Sequence, residues 1–313
     1  MDRISTSSAY NQVLNNLLAA EQAQSTAGAQ LSSSEKATNL QGYASGAETL
    51  TAIQATQTQV TGYLNNTQLV SDRLATQDGA LTEVAGAAES ALQAVTQAVA
   101  TGDADSLISS LQDALSKAVG GLNTTFNGEY LFAGGQVNTP PVSATDLASL
   151  TAAPSIASLF NNDQRQITTQ VDPTTTLNTG VLASNVGTPL FQALQAIEAF
   201  NQGPGGPLNG PLTDAQKTFL TQQIANLNTV QADLNNVVGQ NGENQAEVAS
   251  AQSDLTARQT MLGGLIGDAT NPDIAKATTD LQQAQLAIQA AAHVFQSLNS
   301  SSLLALLPAV TFP

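Results

Sequence analysis

From Ile53 a seven-residue step lands on Val60, Thr67, Leu74, Leu81, Ala88 and Val95, and a companion step gives Leu50, Leu64, Ala85, Leu92 and Val99. Seven residues make two helical turns, so this spacing puts every member on one face and predicts a long helix that buries a seam against another helix. Gln57, Ser71 and Asp78 interrupt the seam. A stringent two-stranded zipper would exclude them; a helix in a bundle or rod tolerates them, and polar seam positions fix register at some cost in stability.

Three further stretches keep a helical rhythm. Near the start it is carried by Tyr10, Val13, Leu17, Ala20, Ala27 and Leu31. Residues 213–262 carry Phe219, Leu220, Ile224, Leu227, Leu234, Val237 and Val238 as a buried stripe. After Pro272, a residue suited to a helix start, the run Ile274, Ala277, Leu281, Ala284, Ile288, Ala291, Phe295 and Leu298 has no polar member.

For residues 50–99 and 213–262 the bland reading, an ordinary intramolecular core, is preferred. The ends differ. No acid or base occurs from Ile4 to Ala20, and after Asp280 there is none apart from His293. A solvated helix carries charge on its outer face, whereas interface cores are depleted of it. Tyr10, Val13, Leu17 and Leu31, with Ile274, Leu281, Ile288, Phe295 and Leu298, are therefore candidate assembly residues on helices surrounded by other protein.

Between the helical ends, residues 136–210 hold most of the prolines, the Thr- and Val-rich run "RQITTQVDPTTTLNTGVL" and the loop "GPGGPLNG". These are strand and turn signals, with one helix expected at Leu190–Phe200 after Pro189. The expected fold is mainly α: a long antiparallel helical coiled-coil rod formed by both chain ends, with a small β-rich (α+β) domain inserted in the middle. Its parts are terminal helices at 1–40 and 274–313, a helical rod domain at 41–135 and 211–273, and the inserted outer domain at 136–210. Glycines beside both ends of the insert suggest that a short loop could replace it.

Ala and Leu dominate the apolar residues, with 8 Phe, 4 Tyr and no Trp. Against that scarcity, "FNGEYLF" concentrates Phe126, Tyr130 and Phe132 where the long helix gives way to a strand. Large rings supply buried area that an Ala/Leu rod lacks, so these three are expected to pack the rod-to-insert junction.

The net charge of −16 repels phosphate backbones and anionic lipids, so neither nucleic acid nor membrane insertion is expected. Leu303–Val310 is too short to span a bilayer. "MDRISTSSAY" has no apolar core of the kind a cleaved signal needs, so export without one is expected. Without Cys there is no disulfide, thiolate metal site or cysteine nucleophile.

His293 is the only histidine, on the closing helix and without a sequence partner. "GDADS" lacks the Gly and Glu of a calcium loop, and "GPGGPLNG" lacks the Lys of a phosphate loop. No catalytic constellation emerges. The chain reads as a structural protein, not an enzyme, with no cofactor and no metal.

Three stretches, "RISTSSAY", "NGEYLFAGGQVNTPPV" and "NPDIAKATTDLQQAQLAIQAAAHVFQSLNSSSLLALL", resemble the flagellin superfamily, on the side of its hook–filament junction branch. In place of that family's basic and acidic cluster after the first helix stands "SSSEKATNLQGYASGAETL", with Glu35, Lys36 and Glu48 only, so contacts assigned to that loop do not transfer. The resemblance implies an extracellular structural subunit of the bacterial flagellum, self-assembling and serving motility. Its terminal helices would pack lengthwise with neighbouring junction subunits, a hook-side junction protein and flagellin, after delivery by an export chaperone. The alternatives are filament flagellin itself, or a surface-binding module displayed on a helical rod; Phe160, Phe191 and Phe200 are few aromatics for a glycan site.

Overall fold

The computed structural model describes residues 2–304, with side chains described from 8 to 298. Leu303–Val310 and the end of the 274–313 segment lie outside the described side chains. The fold is mainly α with a small β part: long antiparallel helices packed together and two hairpins in the middle. The helices are α1 (Asp2–Ser33), α2 (Ala47–Thr101), α3 (Leu107–Leu122), α4 (Leu147–Ala152), α5 (Ala183–Gln202), α6 (Asp214–Thr270) and α7 (Ile274–Leu304). The hairpins are β1 (Thr125–Phe126) with β2 (Glu129–Tyr130), and β3 (Thr168–Gln170) with β4 (Thr176–Asn178). The chain forms two compact units, one of residues 1–59 and 258–313, the other of residues 60–257.

In the first unit α1 and α7 run antiparallel: Tyr10 meets Phe295 edge-on at 5.2 Å, and Ala20 and Ala27 share a groove with Ala284. Small side chains at the buried positions, Ala20, Ala27, Ala277 and Ala284, suit a close approach of the two helices.

In the second unit the heptad set Val60, Thr67, Leu74, Leu81, Ala88 and Val95 is buried throughout. Its companion is not the expected one. Val70, Gln77, Val84, Ala91 and Ala98 are buried; of the expected companion row Leu50 and Ala85 are buried, whereas Leu64, Leu92 and Val99, like Ser71 and Asp78, are only half-buried. The second row thus lies mainly three residues after the first, not four, and its polar member is Gln77, as Thr67 is that of the first row. On a 3.6-residue helix both offsets flank the same row, and only the position of the partner helices chooses between them.

Helix α2 ends at Gly102 (φ 74), whose N–H donates to the Ala98 carbonyl. Helix α3, carried by Leu107, Leu111, Leu115, Ala118 and Leu122, lies within the stretch expected to be helical rod, but it is a separate helix, divided from α2 by a turn at residues 102–106. It returns along α2 at close range: a Cβ on Gly121 would stand 2.9 Å from the Ala80 carbonyl oxygen, so a side chain there would part the helices.

Residues 136–210 do not stand apart from this core. Val142, Leu147, Leu150, Ile156, Leu190, Phe191, Leu194 and Ile197 share one hydrophobic cluster with Val84, Ala88, Leu111, Leu220 and Leu227. Helix α5 begins seven residues before the expected Leu190 and takes Pro189 inside it. The hairpin β3–β4 falls within the expected Thr-rich run, and Val171 packs with Val70, Leu74, Val248 and Ala251 over α2 and α6. A short loop in place of the segment would remove these buried side chains from the cluster.

Candidate functional site

Most of the terminal positions singled out in the sequence face the partner terminal helix. Tyr10, Val13, Leu17 and Leu31 on α1 are half-buried, as are Leu281, Ile288 and Leu298 on α7. Phe295 closes on Tyr10 yet stays 43% exposed, and Ile274 is 49% exposed at the start of α7. The pairing of α1 with α7 therefore occupies one face of each helix.

Other apolar side chains on these helices point away from that pairing. Leu14 is 48% exposed, Leu18 54%, Leu286 65% and Val294 45%. Positions 14 and 18 are one helical turn apart, so they form a continuous strip on α1. Residues 8–20 and 281–298 hold no Asp, Glu, Lys or Arg; their exposed polar side chains are chiefly Asn, Gln and Ser, with His293. The charge nearest in sequence on α7 is Asp280, paired with Lys276 at 2.6 Å; this contact holds the ammonium pKa above its usual range. With large apolar side chains turned outward among Asn and Gln and no carboxylate, ammonium or guanidinium beside them, the faces suit contact with further helices.

Of the aromatic trio, Phe132 is fully buried, while Phe126 and Tyr130 are half-buried. Tyr130 and Phe132 do not share a strand: β2 ends at Tyr130, and Phe132 lies in the following turn, its carbonyl accepting from Ala183 N at the start of α5. Gly134 (φ 66) and Gly135 complete that turn, where Asp163 accepts the Gly135 and Arg165 amides. Those donors hold the Asp163 carboxyl below its ordinary value. On the other side of the hairpin, Phe126, Asn127, Glu129 and Tyr130 line a small cavity with Leu69 and Arg73. Burial lowers the Arg73 pKa and Glu129 opposes that shift.

His293 is exposed on α7. Asp103 accepts from Asp105 N, and Asp105 in turn accepts from Gly210 N, so "GDADS" ties two loops together. "GPGGPLNG" is a loop held by Gln216, whose side chain donates to Gly205 O and Pro207 O. Among the described residues no cluster of His, Cys, Asp or Glu is disposed to hold a metal, and no helix is long and apolar enough to cross a membrane. A cavity beneath β4 is rich in carboxamides, but Asn178, Gln166, Asn241 and Asn244 spend hydrogen bonds on protein partners.

Two features escaped the sequence reading. Lys36 caps α6: its N–H donates to Thr270 O at 2.6 Å and its Nζ to Asp268 O and Ala269 O at 2.7 and 3.1 Å. A cation there also complements the negative end of the helix dipole. Gln77 and Asn241 form the second, a buried carboxamide pair joining α2 to α6 at 2.9 Å. Both depend on partners more than 160 residues away, which no local spacing reveals.

Residues 4–137 match the family profile of the bacterial flagellin N-terminal helical region. None of the curated proteins matches the chain. Among solved structures, a protein assigned as flagellar hook-associated in Vibrio parahaemolyticus superposes with a TM-score of 0.59 at 14% identity, over 71% of this chain and 96% of that one. Bacillus cereus FlgL superposes with a TM-score of 0.52 at 12% identity, over 70% of this chain and 99% of that one. At these identities the likeness is one of fold.

Proposed function

We propose that the chain is a structural subunit of the bacterial flagellum that joins hook to filament, the role of hook-associated protein 3. The observation that carries this reading is the outward turn of Leu14 and Leu18 on α1 and of Leu286 and Val294 on α7, within stretches that hold no Asp, Glu, Lys or Arg. Burying these side chains against neighbours gains about 25 cal/mol for each Å² of apolar area removed from water. Lengthwise packing with several copies therefore stabilises an assembly in proportion to helix length. The match to the flagellin N-terminal region and the fold shared with hook-associated proteins support the same class of assembly. The partners of this reading are neighbouring junction subunits, a hook-side junction protein, flagellin and an export chaperone, and its place is outside the cell.

Substituting Leu14, Leu18 and Leu286 together by Lys tests the reading. The variant is expected to fold with unchanged thermal stability and to leave hooks without filaments while flagellin escapes into the medium. Filaments of normal length on such cells would overturn the proposal. The second reading, filament flagellin, is favoured by the profile match to a flagellin region. Gold-labelled antibody separates the two: a short band at the hook tip supports the junction role, and label along the whole filament supports flagellin.

A further inference from the structure

The chain contains three Asn-Gly pairs, at 127–128, 209–210 and 241–242. In such a pair the backbone nitrogen after the carboxamide carries no neighbouring side chain, so it can close on the Asn Cγ. The fold treats the three differently. Asn241 is buried within α6, where the backbone amides serve the helix, and its side chain is held by Gln77, Leu74 O and Asp78. Asn209 is exposed, but the Gly210 N–H is engaged by Asp105 Oδ1 at 2.7 Å.

Asn127 is unprotected on both counts. It sits exposed at the tip of a hairpin whose strands are two residues long, with φ 53 at Asn127 and φ 86 at Gly128. A Cβ on Gly128 would meet nothing within 4 Å, so the tip has room to turn. A two-stranded ribbon this short adds little resistance of its own.

We infer that Asn127 is a site of spontaneous deamidation. The Gly128 nitrogen attacks Asn127 Cγ and forms the C–N bond of a five-membered succinimide. The bond from Cγ to Nδ2 breaks, and ammonia leaves with the proton given up by the Gly128 amide. Water then opens the ring at either carbonyl, giving aspartate or isoaspartate; nothing is oxidised or reduced.

The carboxylate so formed has a cation waiting. Asn127 and Arg73 line the same small cavity, and the Arg73 Nε is buried without a hydrogen-bond partner. An aspartate at 127 joins Glu129 in facing that guanidinium. The isoaspartate product lengthens the backbone within a two-residue turn and so disturbs the pairing of Phe126 with Glu129 and of Thr125 with Tyr130.

The experiment holds the intact full-length chain at mildly alkaline pH, beside a sample unfolded in denaturant, and maps both by peptide mass spectrometry with isoaspartate methyltransferase labelling. In the folded protein the peptide containing Asn127 is expected to gain the mass of one deamidation while those containing Asn209 and Asn241 do not; the unfolded chain is expected to convert at all three. Conversion at 209 or 241 as fast as at 127 in the folded protein overturns the inference, as does a folded protein unchanged at 127 while the unfolded chain reacts. The pairing has its own readout. Asn127→Asp is expected to keep the parent melting temperature and to lower it in an Arg73→Met background; equal effects in both backgrounds remove Arg73 from the account.

Discussion

Phe132 and Tyr130 lie two residues apart in sequence and in different surroundings: the first is fully buried, the second half-open beside Arg73. Phe132→Ala is expected to cost about 3–5 kcal/mol in chemical denaturation, the usual range for a buried ring, and Tyr130→Ala distinctly less. Equal losses would show that the hairpin is closed over more tightly than its exposure indicates. Asp172, at the turn of β3–β4, accepts from the amides of Thr174 and Thr175 and from the Thr174 hydroxyl. These donors pull its carboxyl from 3.8 down to about 2. A depressed folded value means that the turn's contribution is present above the ordinary value and lost as pH falls through the folded one. An NMR titration of the Asp172 carboxyl should therefore have its midpoint near 2. A midpoint at the ordinary value would remove the turn's preference for the charged form.

The seam of α2 shows what helix packing adds at the level of elements. Repetition every seven residues identified the row from Val60 to Val95, but the second row took the other of two possible offsets and brought Gln77 inside. There Gln77 Nε2 donates to Asn241 Oδ1, and Asn241 Nδ2 donates to Leu74 O and Asp78. Asn241→Ala strands the buried Gln77 amide and is expected to cost about 1–3 kcal/mol. Replacing Gln77 and Asn241 together by Leu removes both polar groups and is expected to recover that loss while weakening the definition of register between α2 and α6. Denaturant melts compare the stabilities, and cysteine cross-linking at shifted α2–α6 positions reads the register. A double variant no more stable than Asn241→Ala would contradict the argument.

Across the whole molecule, charge and apolar surface are separated. Residues 60–257 hold 17 of the 24 acids and 4 of the 8 bases, whereas the terminal helices carry the outward leucines. In an assembly of many copies the acidic units repel one another, and salt screens that repulsion: the Debye length falls from about 30 Å at 0.01 M to about 8 Å at 0.15 M. Assembly followed by light scattering is expected to quicken over that range; a rate that falls with salt would mean that attraction between opposite charges drives it. Because residues 136–210 share the main core, replacing them with a short loop is expected to cost the second unit its cooperative melt. Retained helical circular dichroism and a sharp transition would show the segment to be detachable after all.

Periodicity alone specified the helical stretches at 50–99 and 213–262 and at both ends, because a buried face must recur at the helix period wherever its partner lies. Composition alone set the excess of negative charge, and the order of residues left 4–20 and 281–313 without Asp, Glu, Lys or Arg. The Thr-rich run located the second hairpin, since β-branched residues between turn signals have few other local solutions. What the sequence left open was decided by partners distant along the chain. The neighbouring helices chose the second row of the α2 seam, the α6 carbonyls gave Lys36 its role, and the shared core joined residues 136–210 to the helices around them. Local spacing says which face of a helix is apolar; what covers that face depends on non-local contacts that form only in the folded chain.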